Sequence, residues 1–179
     1  IHFEDNSFWR AAVPSGASTG IHEALELRDQ DSARYKGKGV LKAIENIKKT
    51  IFNNIKGKEF SDINTFDNFL IEIDGTENKS NLGANATLAT SLAFAKCLAS
   101  FHKKQFYSFL ADSNSMTLPV PMMNIINGGS HADNEVDIQE FMIAPIGSEN
   151  FSEGLRWGTE IFHSLKSLLK SKSLNTNVG

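Results

Sequence analysis

The chain has 179 residues, of which 40% are hydrophobic, and a formal net charge of −3 at pH 7. This length is sufficient to bury a core in one domain or in two small ones. Acidic and basic residues are interspersed, so the chain lacks a basic stripe for nucleic acid and a polybasic membrane anchor. No apolar run reaches the roughly 18 residues of a membrane span, and no signal segment opens the chain. We therefore expect a soluble, cytoplasmic protein with neither a nucleic-acid partner nor a membrane span.

The first 13 residues show a pattern that predicts two strands joined by a polar turn at residues 5–7. The sequence opens in the middle of the first strand and without an initiating methionine. We therefore expect the N-terminus to be truncated.

A glycine-rich segment follows at residues 16–20, in which Ser18 formally matches the G-x-S-x-G nucleophile elbow. That elbow needs a strand that runs straight into the turn and a helix directly after it, whereas residues 14–15 intervene here. A serine hydrolase would also need an acid followed by a histidine, but His131 precedes the obvious acid, Glu140. These departures disfavour a hydrolase, and glycines flanking small hydroxyl residues suit a mobile flap equally well.

Three helices are predicted between residues 40 and 101. Apolar residues recur at three- and four-residue spacing over residues 40–55 and again up to residue 73, with Asp62 in the N-cap position of the second run. Gly75 ends that run. Residues 85–101 are apolar nearly all round, which predicts a buried helix in which the single cysteine, Cys97, is a small core residue.

A polar connection at residues 112–117 is the predicted domain boundary, which we place after residue 117. The apolar run at residues 120–126 then predicts a buried strand that enters a glycine loop requiring positive φ. The next strand is predicted over residues 136–146. Asn150, with Glu153 three residues later, predicts the start of a helix that ends near residue 172.

Polar residues are concentrated around the loop between these two strands. Gln139 and Glu140 directly precede an apolar stretch, and polar groups at the start of a buried strand are costly unless they are partnered or used. A Gly-Gly pair beside Asn and His also occurs in surface turns, so a structural and a functional interpretation both stay open at this point. The polar residues of the loop itself are Ser130, His131, Asp133 and Asn134.

Three sequence blocks, in the same order, resemble the enolase family. Asn-Gly-Gly-Ser-His-Ala at residues 127–132, followed by Gln-Glu-Phe-Met at residues 139–142, is similar to the family's signature loop. Val-Pro-Ser-Gly-Ala-Ser-Thr-Gly at residues 13–20, followed by residues 22–29, resembles its N-terminal active-site loop. Residues 74–86 resemble its central helical block. Together the blocks cover nearly the whole chain.

The resemblance implies a fold in two parts. Residues 1–117 match an α+β N-terminal domain, which consists of a hairpin sheet plus helices. Residues 118–179 match the first strand-strand-helix part of a modified TIM-type α/β barrel, which would be incomplete because a full barrel takes about 250 residues.

The resemblance also implies a reaction, the Mg²⁺-dependent reversible dehydration of 2-phosphoglycerate to phosphoenolpyruvate. Glu140 matches the catalytic glutamate at the leaving hydroxyl, with Gln139 as a substrate-binding neighbour, and His131 matches the loop histidine that closes toward the substrate phosphate. Ala17 and Ser18 match the substrate-binding flap. The serine at the position of Ser18 supplies oxygen ligands to the second Mg²⁺, in keeping with the preference of Mg²⁺ for hard oxygen donors.

We expect Ser18, the loop that carries His131 and the side chain of Glu140 to converge on one cleft between the two domains. In the family, the base lysine and the carboxylates of the first Mg²⁺ lie in segments beyond residue 179. We therefore expect a glycolytic enolase represented by a fragment, in which the residues given are inactive by themselves. The resemblance implies a homodimer or higher homo-oligomer for the full-length form.

One alternative stays open. A truncated, non-catalytic binding or scaffold protein that keeps enolase surfaces would carry the same flap and loop motifs. The length of the source gene, or the intact mass of the native protein, discriminates between the two hypotheses.

Overall fold

The computed structural model describes residues 1–16, 20–111, 116–129, 134, 136–174 and 176. The chain divides into two compact units, residues 1–114 and 115–179. The boundary predicted after residue 117 falls close to this division. Because residues 112–115 lie outside the described residues, its placement stays a prediction.

The first unit is mainly helical. The run predicted at residues 40–55 is confirmed as helical, although its middle is wound as a π-helix, which the sequence pattern did not indicate. After the 3-10 turn Tyr35–Gly37, the elements are α1 (Leu41–Glu45), the π-helical Asn46–Ile51, α2 (Phe52–Ile55), α3 (Ile63–Asp74), α4 (Ala84–Phe101) and α5 (Phe106–Leu110).

Helix α3 begins and ends where the sequence predicts. The side chain of Asp62 accepts a hydrogen bond from the backbone N–H of Thr65 at 2.8 Å, which satisfies one of the free donors of the first turn. At the other end, Gly75 adopts φ +70° and its N–H donates to the carbonyl of Ile71 at 2.9 Å. Glycine takes this left-handed conformation without the steric penalty of a side chain, so it stops the helix.

Helices α3 and α4 contribute the aromatic centre of the core. The Phe66 and Phe94 rings stack at 4.0 Å between centroids, and Phe60 meets Phe66 edge-on at 4.9 Å. Cys97 is fully buried and burial raises the pKa of its thiol, so its predicted role as a core residue is confirmed. The core cluster comprises Ala43, Ile51, Phe66, Leu70, Leu82, Ala86, Phe94 and Leu98.

The prediction that α4 is buried all round was wrong on one side. Leu88 is 46% exposed, whereas Thr87 and Thr90 are buried. The two threonine hydroxyls donate to backbone carbonyls of the preceding turn, and so they enter the core with their polar atoms satisfied.

The loop between α3 and α4 is organised around Asp74, which is only 1% exposed. Its carboxylate accepts the backbone N–H groups of Leu82 at 2.7 Å and Thr76 at 3.1 Å, and also the hydroxyl of Thr76. Burial by itself would raise the pKa of Asp74, but these hydrogen bonds outweigh it and hold the pKa below its usual value.

The predicted N-terminal hairpin forms as a short pairing. Ile1 and Trp9 exchange two backbone hydrogen bonds of 3.1 Å, and His2 bridges to Phe8 with the two rings stacked at 5.3 Å. The N–H of Phe3 adds a bond to the carbonyl of Ser7 at 2.9 Å, and the described residues 9–13 form no regular strand. The turn at residues 5–7 is confirmed, since Asp5 accepts the backbone N–H of Ser7 at 2.8 Å.

The second unit has the predicted order of two strands and a helix: β1 (Met123–Asn127), β2 (Glu140–Ile143) and α6 (Phe151–Ser171). Both strands are shorter than predicted. Pro119 and Pro121 have no N–H to offer a partner strand, so pairing starts only after them. Asn150 caps α6 as predicted by accepting the N–H of Glu153 at 2.9 Å.

The helical first unit and the strand–strand–helix order of the second unit confirm the predicted fold class. Within the part of the chain that the structure describes, no helix is long and apolar enough to cross a membrane.

Candidate functional site

The β1–β2 hairpin contains a bulge at Ile125. Asn124 pairs with Met142, but the next pair joins Ile126 to Phe141, so β1 carries one extra residue at this point. Because successive side chains of a strand point to opposite faces, the extra residue shifts the phase of β1 by one position.

Because of this shift, the polar side chains of the hairpin lie on one face and most of its apolar side chains lie on the other. Residues paired across two strands share a face, so Asn127 lies on the face of its partner Glu140, and Asn124 lies there with its partner Met142. In a regular strand, Asn124 and Asn127 would lie on opposite faces, because they are three residues apart. The bulge therefore brings both asparagines to the face of Glu140. The other face carries Met123, Ile126, Phe141 and Ile143.

Helix α6 packs against the apolar face. Gly158 is buried, and a Cβ atom at this position would overlap the side chain of Met123. One turn earlier on α6, a Cβ atom at Gly154 would lie 3.4 Å from the ring of Pro121. Gly158 lets the helix approach β1 closely, and Gly154 lets it approach Pro121, two residues before β1. The polar face of the hairpin therefore lies on the side away from α6.

The two asparagines of β1 are linked to each other. The Nδ2 group of Asn124 donates to Oδ1 of Asn127, and Asn127 is only 5% exposed. The backbone carbonyl of Asn127 accepts Nδ2 of Asn134 at 2.9 Å. The Oδ1 atom of Asn124 is buried and has no hydrogen-bond partner among the described residues. A buried acceptor in this state costs about 1–3 kcal/mol, so packing alone does not account for this asparagine.

Backbone hydrogen bonds close the base of the loop that follows β1. The N–H of Gly128 donates to the carbonyl of Gln139 at 2.9 Å, and the N–H of Gly129 donates to that of Val136 at 2.6 Å. The predicted positive φ is confirmed at Gly129, where φ is +56°. At Gly128 a Cβ atom would overlap the carbonyl oxygen of Val136, so only glycine fits there. These backbone hydrogen bonds therefore fix the position of the chain at Gln139, directly before Glu140.

The residues on each side of the glycine-rich segment near the N-terminus form a hydrogen bond with a charged side chain. Before it, the hydroxyl of Ser15 accepts a hydrogen bond from the Arg28 guanidinium at 2.7 Å. After it, the N–H of Gly20 donates to the carboxylate of Glu23 at 2.6 Å. Arg28 also forms an ion pair with Glu26 at 2.7 Å and donates to a backbone carbonyl at residue 38.

Asp29, next to Arg28, holds the start of α1. Its carboxylate accepts the N–H groups of Leu41 at 2.9 Å and Lys42 at 2.8 Å. The N–H of Lys42 first, then that of Leu41 and the charge of Arg34, lower the pKa of Asp29. In the block at residues 22–29, Arg28 thus contacts Ser15, just before the glycine-rich segment, and Asp29 holds the start of α1.

The described residues around this segment do not form a nucleophile elbow. Residues 24–30 are not helical, and the first helical turn after the segment is Tyr35–Gly37. The helix that the elbow requires directly after its serine is therefore missing from the described residues. This finding agrees with the sequence argument against a serine hydrolase.

The predicted site residues divide into two groups. Gln139 and Glu140 are described, and both have interactions within the structure. Ala17, Ser18 and His131 lie outside the described residues. The predicted convergence of these groups on one cleft therefore stays a prediction.

The described residues do not supply the donor groups of the predicted magnesium site. Among the described residues, no group of three or more His, Cys, Asp or Glu side chains could hold a metal ion. The described part of the chain thus does not fit a Mg²⁺ site by itself. Ser18, the predicted ligand, lies outside that part.

Asn124 and Asn127 were not singled out as candidate site residues from the sequence, although the register places both on the face of Glu140. The available signal was two amide side chains inside an apolar run, three residues apart, a spacing that suits neither the inward nor the outward positions of a regular strand. Such a spacing indicates a bulge when both residues are needed on one face.

The described architecture is that of a mainly helical α+β unit followed by the strand–strand–helix opening of an α/β barrel. Two family models agree with it. Residues 1–110 match the model for the enolase N-terminal domain, and residues 115–179 match that for the enolase C-terminal TIM barrel domain. The chain belongs to the enolase family, which confirms the resemblance seen in its sequence blocks.

Proposed function

We propose that this chain is part of a glycolytic enolase that catalyses the reversible dehydration of 2-phosphoglycerate to phosphoenolpyruvate. The family assignment supports a lyase that acts on a small-molecule substrate. The observation that carries the proposal is the position of Glu140, which begins β2 on the polar face of the hairpin, beside the closed base of the glycine loop.

In the proposed reaction, Glu140 acts at the β-hydroxyl that leaves as water. A carboxyl group held on a rigid strand keeps its position while bonds change, which favours a role in proton transfer. Gln139 supports the substrate next to it. His131 binds toward the phosphate, and Ala17 and Ser18 contribute to substrate binding from the glycine-rich segment.

Enolases generally use Mg²⁺, and we propose the same for the whole enzyme, with Ser18 as one oxygen donor. Bound magnesium would stabilise negative charge that develops on the substrate. Because the described residues do not build a metal site, the chemistry assigned to them is limited to binding and proton transfer. We further propose a cytoplasmic enzyme that acts as a homodimer or higher homo-oligomer.

The test is Glu140→Gln in the enzyme expressed from the whole gene. The variant keeps the size of the side chain but removes its proton transfer. We expect kcat to fall by about 100-fold or more, while KM stays within a few-fold, because the lost interaction belongs to the transition state. Steady-state formation of phosphoenolpyruvate, followed by its absorbance, measures both constants.

Glu160→Gln is the matched control. Glu160 lies exposed on α6, where it forms an ion pair with Arg156 at 2.8 Å, and its replacement should leave kcat unchanged. If Glu140→Gln kept turnover near that of the control, Glu140 would have a structural role and the proposed site would be wrong.

A further inference from the structure

The hairpin has a feature that the proposed reaction does not use: a pair of asparagines on the face of the catalytic glutamate. Asn127 is the cross-strand partner of Glu140, and Asn124 donates a hydrogen bond to the Oδ1 atom of Asn127. Neither asparagine has an assigned role, yet both lie in a strand whose remaining side chains are apolar.

The hydrogen-bond pattern places Asn127 and Glu140 close together. The N–H of Gly128 donates to the carbonyl of Gln139, which makes these two a hydrogen-bonded pair. Such pairs alternate with non-hydrogen-bonded pairs along an antiparallel ladder, so Asn127 and Glu140 form a non-hydrogen-bonded pair. In this arrangement the Cα atoms are about 4.5 Å apart and the side chains are at their closest.

The bond from Asn124 fixes the orientation of the Asn127 amide. Because Oδ1 of Asn127 accepts from Asn124, the opposite end of the same planar amide carries its two N–H donors. A carboxylate is the natural acceptor for such donors. Asn127 is nearly fully buried, so its amide is held in place by packing as well as by this bond.

The arrangement has a cost in free energy that the fold by itself does not require. The bulge at Ile125 interrupts the ladder, and the Oδ1 atom of Asn124 is buried without a partner among the described residues. Bulges are frequent next to active sites, where they re-aim a side chain. Here the bulge places Asn124 on the same face as the pair of Asn127 and Glu140.

We propose that Asn127, oriented by Asn124, is a positioning residue that holds the carboxyl group of Glu140 for proton transfer. The inference rests on the proposed function, since it assigns Asn127 a role through Glu140. Glu140 itself has further interactions within the structure, and few titratable groups among the described residues lie near this face. β1 carries none, β2 carries only Glu140, and Asp137 precedes it by three residues, while residues 130–133 and 135 lie outside the described residues.

The test is Asn127→Asp in the enzyme expressed from the whole gene. This change keeps the shape of the side chain but places a second carboxylate opposite Glu140. Like charges at this separation disfavour ionisation of Glu140, which donates its proton to the leaving hydroxyl and so acts in the protonated form. The alkaline limb of the kcat–pH profile for dehydration should therefore move upward by about 1–2 pH units. We also expect kcat at neutral pH to fall by about 10-fold or more, with KM within about three-fold.

Two further variants separate positioning from general structure. In the double variant Asn127→Asp with Glu140→Gln, the shift of the alkaline limb should disappear, because glutamine at position 140 has no carboxyl group. Asn150→Asp is the matched control, since Asn and Asp are equivalent helix caps and α6 packs on the opposite face. It should leave the pH profile and kcat unchanged.

The outcomes discriminate between the two hypotheses. If Glu140→Gln keeps its turnover, the proposed function fails whatever Asn127 does. If Glu140→Gln loses turnover but Asn127→Asp leaves both kcat and the alkaline limb unchanged, the positioning role is wrong. Should Asn127→Asp fail to fold, Asn124→Ala decides: a three- to ten-fold loss of kcat at unchanged KM supports the inference, and unchanged kcat overturns it.

Discussion

The two units of the chain differ in how much apolar surface they bury. In the first unit, the eight residues of the core cluster are each 7% exposed or less. In the second unit, the described residues that are buried are Asn127, Gly128, Gly154 and Gly158, so no apolar side chain is among them. Apolar burial is the dominant source of folding free energy, and the first unit therefore stabilises itself to a much greater extent.

Helix α6 shows the same contrast within one element. Its Gly158 packs closely against β1, but Ile161 is 46% exposed and Leu168 is 52% exposed on a face that also includes Trp157 and Leu165. Helices α3 and α4, by comparison, bury aromatic rings between them. An amphipathic sequence pattern therefore does not determine how much the apolar face of a helix stabilises the fold. That depends on whether other elements cover the face.

The largest effect is expected when one large apolar side chain in each unit is replaced by alanine, in a protein of residues 1–179. Phe66→Ala should reduce the free energy of unfolding by about 3–5 kcal/mol, because it opens a cavity in a packed core. Ile161→Ala should change it by less than about 0.5 kcal/mol, since that side chain is half exposed. Urea denaturation followed by circular dichroism measures both. Similar losses from the two variants would show that the face of α6 is buried in solution.

A second prediction concerns the buried carboxylate of the first unit. Asp74→Ala should cost about 3 kcal/mol of unfolding free energy, because it leaves the N–H groups of Thr76 and Leu82 unsatisfied inside the protein. Glu72→Gln, at an exposed position on the same helix, is the control and should change stability by less than about 0.5 kcal/mol. A cost for Asp74→Ala as small as that of the control would mean that water replaces these hydrogen bonds.

Local sequence signals predicted helix boundaries well. The Asp62 and Asn150 caps and the glycine stop after α3 each depend on a few neighbouring residues, so the pattern contained the necessary information. The strand–strand–helix order and the glycine loop before Glu140 were accessible for the same reason.

The features that were missed depend on partners distant in sequence. The burial of Asp74 follows from backbone donors as far away as Leu82, and the bulge at Ile125 is defined only by pairing with β2. The exposure of Leu88 likewise depends on which side of α4 is covered by other helices. In the candidate site, the sequence indicated Glu140, but only the register of the hairpin places Asn127 opposite to it.

The smallest effect is expected for the pH dependence of stability at the helix caps, which differ between the two units. Asp62, at the start of α3, carries a charge, whereas Asn150, at the start of α6, does not. The N–H of Thr65 first, and then the hydroxyls of Ser61 and Thr65, lower the pKa of Asp62 in the folded protein. A lowered pKa stabilises the fold above the unfolded value of about 3.9, and this contribution is lost as the pH falls through the folded value.

Asp62→Asn should therefore destabilise the chain slightly at pH 7 and have a smaller effect at pH 3, because pH 3 lies below the unfolded value of about 3.9 and part of the contribution of the charge is lost there. The urea midpoints of both proteins at the two pH values give this difference directly, and other acid-sensitive groups cancel in the comparison. Asn150→Ala, the neutral counterpart in the second unit, should shift the midpoint equally at both pH values. An Asp62→Asn effect that is the same at pH 3 and pH 7 would show that the cap acts through hydrogen-bond geometry alone, without a contribution from its charge.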